Sequence, residues 1–126
     1  MAGQFTGLPD GGKVVWQPQV SGVVRSLPPG TDAWIVVYPE LAPAYWPQPG
    51  PLQLDSAGGF RTSVYIGASA TQDLGEKSIV RLVTASQTTS ARFRAFLGLP
   101  APSQGLPALP SGVQTLATLT VTRIES

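Results

Sequence analysis

WIVVYPELAPAYWPQPGPLQLDSAGGFRTSVYIG, residues 34–67, holds six of the ten aromatic side chains and only three charges, Glu40, Asp55 and Arg61. Its first five residues, Trp34-Ile35-Val36-Val37-Tyr38, show no polar phase. A strand with no polar side is buried on both faces. The prolines that follow (Pro39, Pro43, Pro47, Pro49, Pro51) forbid both helix and central strand, yet they display Tyr45 and Trp46. Asp55-Ser56-Ala57-Gly58-Gly59 then turns the chain into Phe60–Ile66, where Phe60, Thr62, Val64 and Ile66 alternate with Arg61, Ser63 and Tyr65. Two strands joined by a rigid aromatic loop make a wall suited to a binding site.

The same punctuation runs through the chain. Fourteen glycines and thirteen prolines in 126 residues favour short strands and turns. Residues 1–12 read as a flexible arm or linker and residues 13–126 as a single domain. Lys13–Trp16 reads as a short strand or a docking arm, Val20–Leu27 as a strand closed by Pro28-Pro29-Gly30, and Lys77–Ala85 and Val113–Ile124 as two more. Leu52-Gln53-Leu54 reads as a short extended piece, and residues 67–75 as a loop of small residues. One helix is expected over residues 88–97: Thr88 or Thr89 can cap it, and Phe93, Phe96 and Leu97 supply the apolar spacing. Gly98 suits a left-handed stop before Pro100, and Arg92 and Arg94 fall on the solvent side. Residues 98–112 read as a polyproline-like connection whose leucines lie on the sandwich surface. The sum is an all-β chain, an antiparallel immunoglobulin-like β-sandwich of about seven short strands with one short helix; a small open barrel is the alternative.

Composition narrows the function. Charged residues are 12% of the chain and the net charge is +1, with the basic residues scattered, so neither nucleic acid nor a membrane surface is an expected partner. Without histidine or cysteine there is no Ser-His-Asp arrangement, no thiolate and no ordinary metal-ligand cluster. Gly75-Glu76-Lys77-Ser78 lacks the spacing of a phosphate-binding loop. No catalytic residue, metal or cofactor is expected. With no secretory signal and no apolar stretch of spanning length, the expectation is a cytoplasmic protein.

The candidate ligand-binding residues are Trp34, Tyr45, Trp46 and Tyr65 for stacking, Arg25, Arg61 and Arg81 for anionic groups, and Gln48 as a polar contact. Each has a plainer reading: Trp34 as sandwich core, the Tyr45–Trp46 loop as a plug, and Arg61-Ser63-Tyr65 as a solvated strand face. Arg25 and Arg81 join Arg61 only if their strands are its neighbours.

The series Leu27-Pro28-Pro29-Gly30, Trp34, Val36-Val37-Tyr38-Pro39, Tyr45-Trp46-Pro47-Gln48, Gly50-Pro51, Asp55, Gly59, Val64-Tyr65-Ile66-Gly67 and Val121-Thr122-Arg123 resembles a bacterial β-sandwich accessory domain of multidomain antiviral-defence proteins. Some of those proteins carry caspase-like protease effectors. The resemblance implies a non-catalytic module covalently linked to an effector domain, sensing a small nucleotide-derived signal such as a cyclic ADP-ribose isomer made by a TIR enzyme. A carbohydrate-binding or adhesion module, and a structural or oligomerisation domain, are the alternatives.

Overall fold

The computed structural model describes residues 2–7, 12–15, 17–40, 44–66, 75–98 and 105–124. These form eight strands and one helix: β1 (Ala2–Phe5), β2 (Lys13–Val14), β3 (Gln19–Arg25), β4 (Thr31–Pro39), β5 (Trp46–Pro47), β6 (Gly59–Ser63), β7 (Lys77–Ser86), α1 (Gln87–Leu97) and β8 (Gln114–Arg123). One sheet has the order β1-β3-β6 and the other β2-β8-β7-β4-β5. The pairings are antiparallel except that of β2 with β8, which is parallel over Lys13↔Thr122 and Val14↔Arg123. The fold is therefore all-β in two sheets with one helix, and the purely antiparallel expectation is corrected at β2. Among the described residues no helix is long and apolar enough to cross a membrane.

β4 explains the layering. Ala33, Ile35 and Val37 join Val20, Val24, Phe60, Val80, Leu82 and Val121 in the core between the sheets. Trp34 and Val36 point the other way and join Val83, Ala85 and Phe93 in a second core. Its cover is α1 together with Leu106, Leu109 and Val113 of the connection to β8. Two covers satisfy the two apolar faces of β4, so the molecule has three layers where a plain sandwich has two.

α1 starts where β7 ends. Ser86 is the N-cap, its Oγ accepting from the Thr89 amide at 3.3 Å, two residues before the expected Thr88 and three before Thr89. The cap falls there because β7 runs straight into the helix, leaving Ser86 as the last extended residue. Gly98 ends the helix in a right-handed conformation (φ −79°), not the expected left-handed one, and its amide bonds the Arg94 carbonyl at 3.0 Å. Phe93 is fully buried, which contributes about 2–3 kcal/mol from its apolar surface.

Two other expectations shift. Ala2–Phe5, read as part of an arm, pairs with β3 as an edge strand, and Phe5 meets Phe60 edge-on at 6.5 Å. Leu52–Leu54 adds no strand, but Leu52 and Leu54 pack against the inter-sheet core. The Asp55–Gly59 turn forms as expected: Asp55 Oδ1 accepts from the amides of Ala57 (2.9 Å) and Gly59 (2.8 Å), and Gly58 has φ +83°. Trp16 and the loop over 67–74 lie outside the described residues. Gly75–Ser78 leads into strand β7, whereas a phosphate-binding loop leads into a helix.

Candidate functional site

The eight candidate residues divide among three places. Trp34 is sealed inside the outer core at 0% exposure. Its Nε1 donates to Ser90 Oγ at 2.8 Å, and Ser90 Oγ in turn donates to Asp32 Oδ2 at 2.5 Å. Phe93 packs edge-on against the indole at 5.2 Å. The indole has one polar atom, and a buried serine satisfies it. Trp34 holds the helix on the sheet.

Gln48 is also internal. Its backbone amide bonds the Ile35 carbonyl (2.8 Å), its Oε1 accepts from the Tyr65 amide (2.7 Å), and its Nε2 donates to the Trp46 carbonyl (3.0 Å). The side chain therefore ties the edge of the five-stranded sheet to the segment after β6. Tyr65 itself is 43% exposed. Trp46 is half-buried, edge-on to Phe96 of α1 at 6.0 Å. Gly105 lies against its indole so closely that a Cβ there would stand 2.8 Å from Trp46 Cε2.

Arg25 and Arg61 sit exposed on the outer face of the three-stranded sheet. Arg61 is opposite Ser21, and Arg25 lies four residues further along β3, about 13 Å away at strand rise. Arg81 is on β7 of the other sheet, opposite Val36 on one side and Thr118 on the other. The two sheets turn their outer faces in opposite directions. Arg81 therefore does not join the other two arginines.

What Arg81 does join is an aromatic pair. Tyr38 and Tyr45 lie with ring centres 4.8 Å apart and planes tilted by 49°, and the Arg81 guanidinium carbon lies 6.0 Å from the Tyr45 ring centre. Tyr45 is held by a two-way backbone bridge to Leu106, 2.8 Å in each direction. Two rows of side chains cross the outer face here: Val36, Arg81 and Thr118, then Tyr38, Ile79 and Thr120. Helix α1 and Leu106–Val113 cover the Trp34–Val83 side together with the fully buried Val36, while Tyr38, Tyr45, Ile79 and Arg81 are half-buried and Thr118 is exposed. Arg81 Nε is shielded from solvent and has no hydrogen-bond partner among the described residues. Such an unmet donor costs about 1–3 kcal/mol. By contrast Arg94 is committed, 3.7 Å from Asp32 Oδ2, although half exposed.

Alternation in the sequence identified Arg81 and the proline loop identified Tyr45. Tyr38 was legible only as a same-face partner of Trp34, and Thr118 only as a member of a polar strand face. The cross-strand register that unites them is a tertiary property. No family model matches the chain, and neither the curated proteins nor the solved structures contain a match.

Proposed function

We propose that the chain is a non-catalytic recognition module of immunoglobulin-like fold that binds a small nucleotide-derived signal. An immunoglobulin sandwich groups strands A, B, E and D in one sheet and C, F and G in the other, with C′ beside C in the variable type. The order β1-β3-β6 against β8-β7-β4-β5 supports this reading, with β3 as B, β4 as C, β5 as C′, β6 as E, β7 as F and β8 as G. Three departures are clear, the first being that no strand D lies beside β6 among the described residues. There is no cysteine pair, and the strand-C tryptophan, Trp34, faces the helix instead of the space between the sheets.

The observation that carries the functional reading is Arg81, whose Nε has no hydrogen-bond partner among the described residues, lying beside the Tyr38–Tyr45 pair on the outer face. A guanidinium beside two touching aromatic rings suits a ligand that combines an anion with a flat ring. A place in a longer bacterial defence protein, next to an effector such as a caspase-like protease, rests on the family resemblance of the sequence.

The test is a thermal-shift screen of the purified protein against cyclic ADP-ribose isomers, cyclic mononucleotides and dinucleotides, NAD and oligosaccharides. A nucleotide at a hundredfold excess over its Kd adds about 2.7 kcal/mol to native-state stability. For a domain of this size that raises the melting temperature by roughly 10 °C. A shift with sugars alone, or with none of the panel, refutes the reading.

A further inference from the structure

We infer that the cavity between α1 and the Leu106–Pro110 segment takes an apolar monocarboxylate, with its carboxylate on Arg92. This is a second site, reached across the Tyr45–Leu106 bridge from Arg81, and it goes beyond the recognition reading above. The cavity has a volume of about 360 Å³ and is lined by Arg92, Leu106, Pro107, Ala108, Leu109 and Pro110. Arg92, Pro107 and Ala108 are exposed and form its rim, whereas Leu106, Leu109 and Pro110 are half-buried and form its floor. Leu106 and Leu109 also pack on the outer core of Trp34 and Phe93, so the floor is anchored from beneath. Proline spacing keeps the hollow from closing. Pro107 and Pro110 fix their own φ and bar this segment from coiling into a helix against α1.

The chemistry of the lining selects the ligand. Arg92 is the one charged residue in it, and the other five are apolar. The Arg92 side chain makes no hydrogen bond or ion pair among the described residues. Arg94, two residues on and so on another side of the helix, is paired with Asp32. A guanidinium fork matches the two oxygens of a carboxylate. Donors for a second charge are scarce here. Pro107 and Pro110 have no amide hydrogen, and the Leu106 amide is spent on the Tyr45 carbonyl at 2.8 Å. An apolar body needs only the walls. A methylene takes about as much room as a water molecule, ~30 Å³, so the cavity suits a chain of roughly eight to twelve carbons.

The experiment titrates the 15N-labelled protein with butanoate, octanoate and 1-octanol, below micelle formation, measuring both affinity and amide shifts. Arg92→Gln, Arg92→Lys and Arg81→Gln are titrated alongside. Octanoate is expected to bind, with shifts centred on Arg92, Leu106, Ala108 and Leu109. Each methylene between butanoate and octanoate should tighten binding about two- to fourfold, the lower figure for a group covered on one side only. Because Arg92 is exposed, Arg92→Gln should weaken octanoate by only about three- to fivefold. The same variant should leave 1-octanol unchanged, which separates a lost charge contact from a damaged cavity. Arg92→Lys should retain most of the octanoate affinity, and Arg81→Gln all of it.

An equal response of octanoate and 1-octanol to Arg92→Gln overturns the placing of the carboxylate on Arg92. Octanoate shifts that centre on Tyr45 and Arg81, and that vanish in Arg81→Gln, overturn the choice of cavity. Butanoate binding as tightly as octanoate, or no shift with octanoate at all, overturns the inference outright. The nucleotide reading has its own thermal-shift screen and fails or succeeds there independently.

Discussion

Replacing Ser90 with alanine tests whether Trp34 is a structural fastening or a ring reserved for ligand. Ser90 is fully buried, and its hydroxyl stands between Trp34 Nε1 at 2.8 Å and Asp32 Oδ2 at 2.5 Å. Alanine fits the space but strands the indole N–H where water does not reach. An unmet buried donor costs about 1–3 kcal/mol. The lost bond to Asp32 adds less than its charge suggests, because that carboxylate is 23% exposed and water can replace the hydroxyl. The expected total is about 3 kcal/mol, or roughly 12 °C in melting temperature for a domain of this size. Urea denaturation measures it, with the slope unchanged if only stability has moved. Trp34→Phe removes the donor at its source, so Ser90→Ala made on that background should cost about 1–2 kcal/mol less. A Ser90→Ala effect within about 0.5 kcal/mol of wild type, or strict additivity with Trp34→Phe, would refute the fastening.

Two other positions give sharp outcomes. Gly105→Ala pushes a methyl group to 2.8 Å from both Ala44 Cβ and Trp46 Cε2, and is expected to lower stability by about 1–3 kcal/mol through overpacking. Gly98→Ala, whose added carbon meets nothing closer than 3.5 Å at φ −79°, should be neutral or slightly stabilising, and denaturant midpoints compare the pair. Gln48→Ala removes the acceptor of the Tyr65 amide, so hydrogen exchange at that amide should accelerate by about ten- to a hundredfold, matching the loss of one buried bond. Unchanged protection at Tyr65 would show that Gln48 does not hold the two sheets together there.

Much of the fold was legible because its signals are local. Strand Trp34–Tyr38 had no polar side, which required a cover on each face, and the Phe93, Phe96 and Leu97 spacing supplied a helix able to be one of them. The Asp55–Gly59 turn was written in residues that bond their own backbone. Local chemistry also misled. Ala2–Phe5 sits among glycines and looked like an arm, yet it becomes ordered by pairing with β3, a partner about twenty residues away that no local propensity reveals. Trp46 and Gln48 stood in a loop rich in proline, readable either as a displayed platform or as a plug, and α1 and the segment after β6 pack against them.

By itself the sequence determined which side of each strand a residue occupies, since alternation along an extended chain fixes that geometrically. Arg61 read as part of a solvated strand face, and Arg25, Arg61 and Arg81 all point outward. Alternation carries no information about which sheet a strand enters. That choice depends on pairing between segments far apart in the chain, and it sends Arg25 and Arg61 to one outer face and Arg81 to the other. Only the tertiary structure therefore decided that, of the three, Arg81 alone meets an aromatic pair.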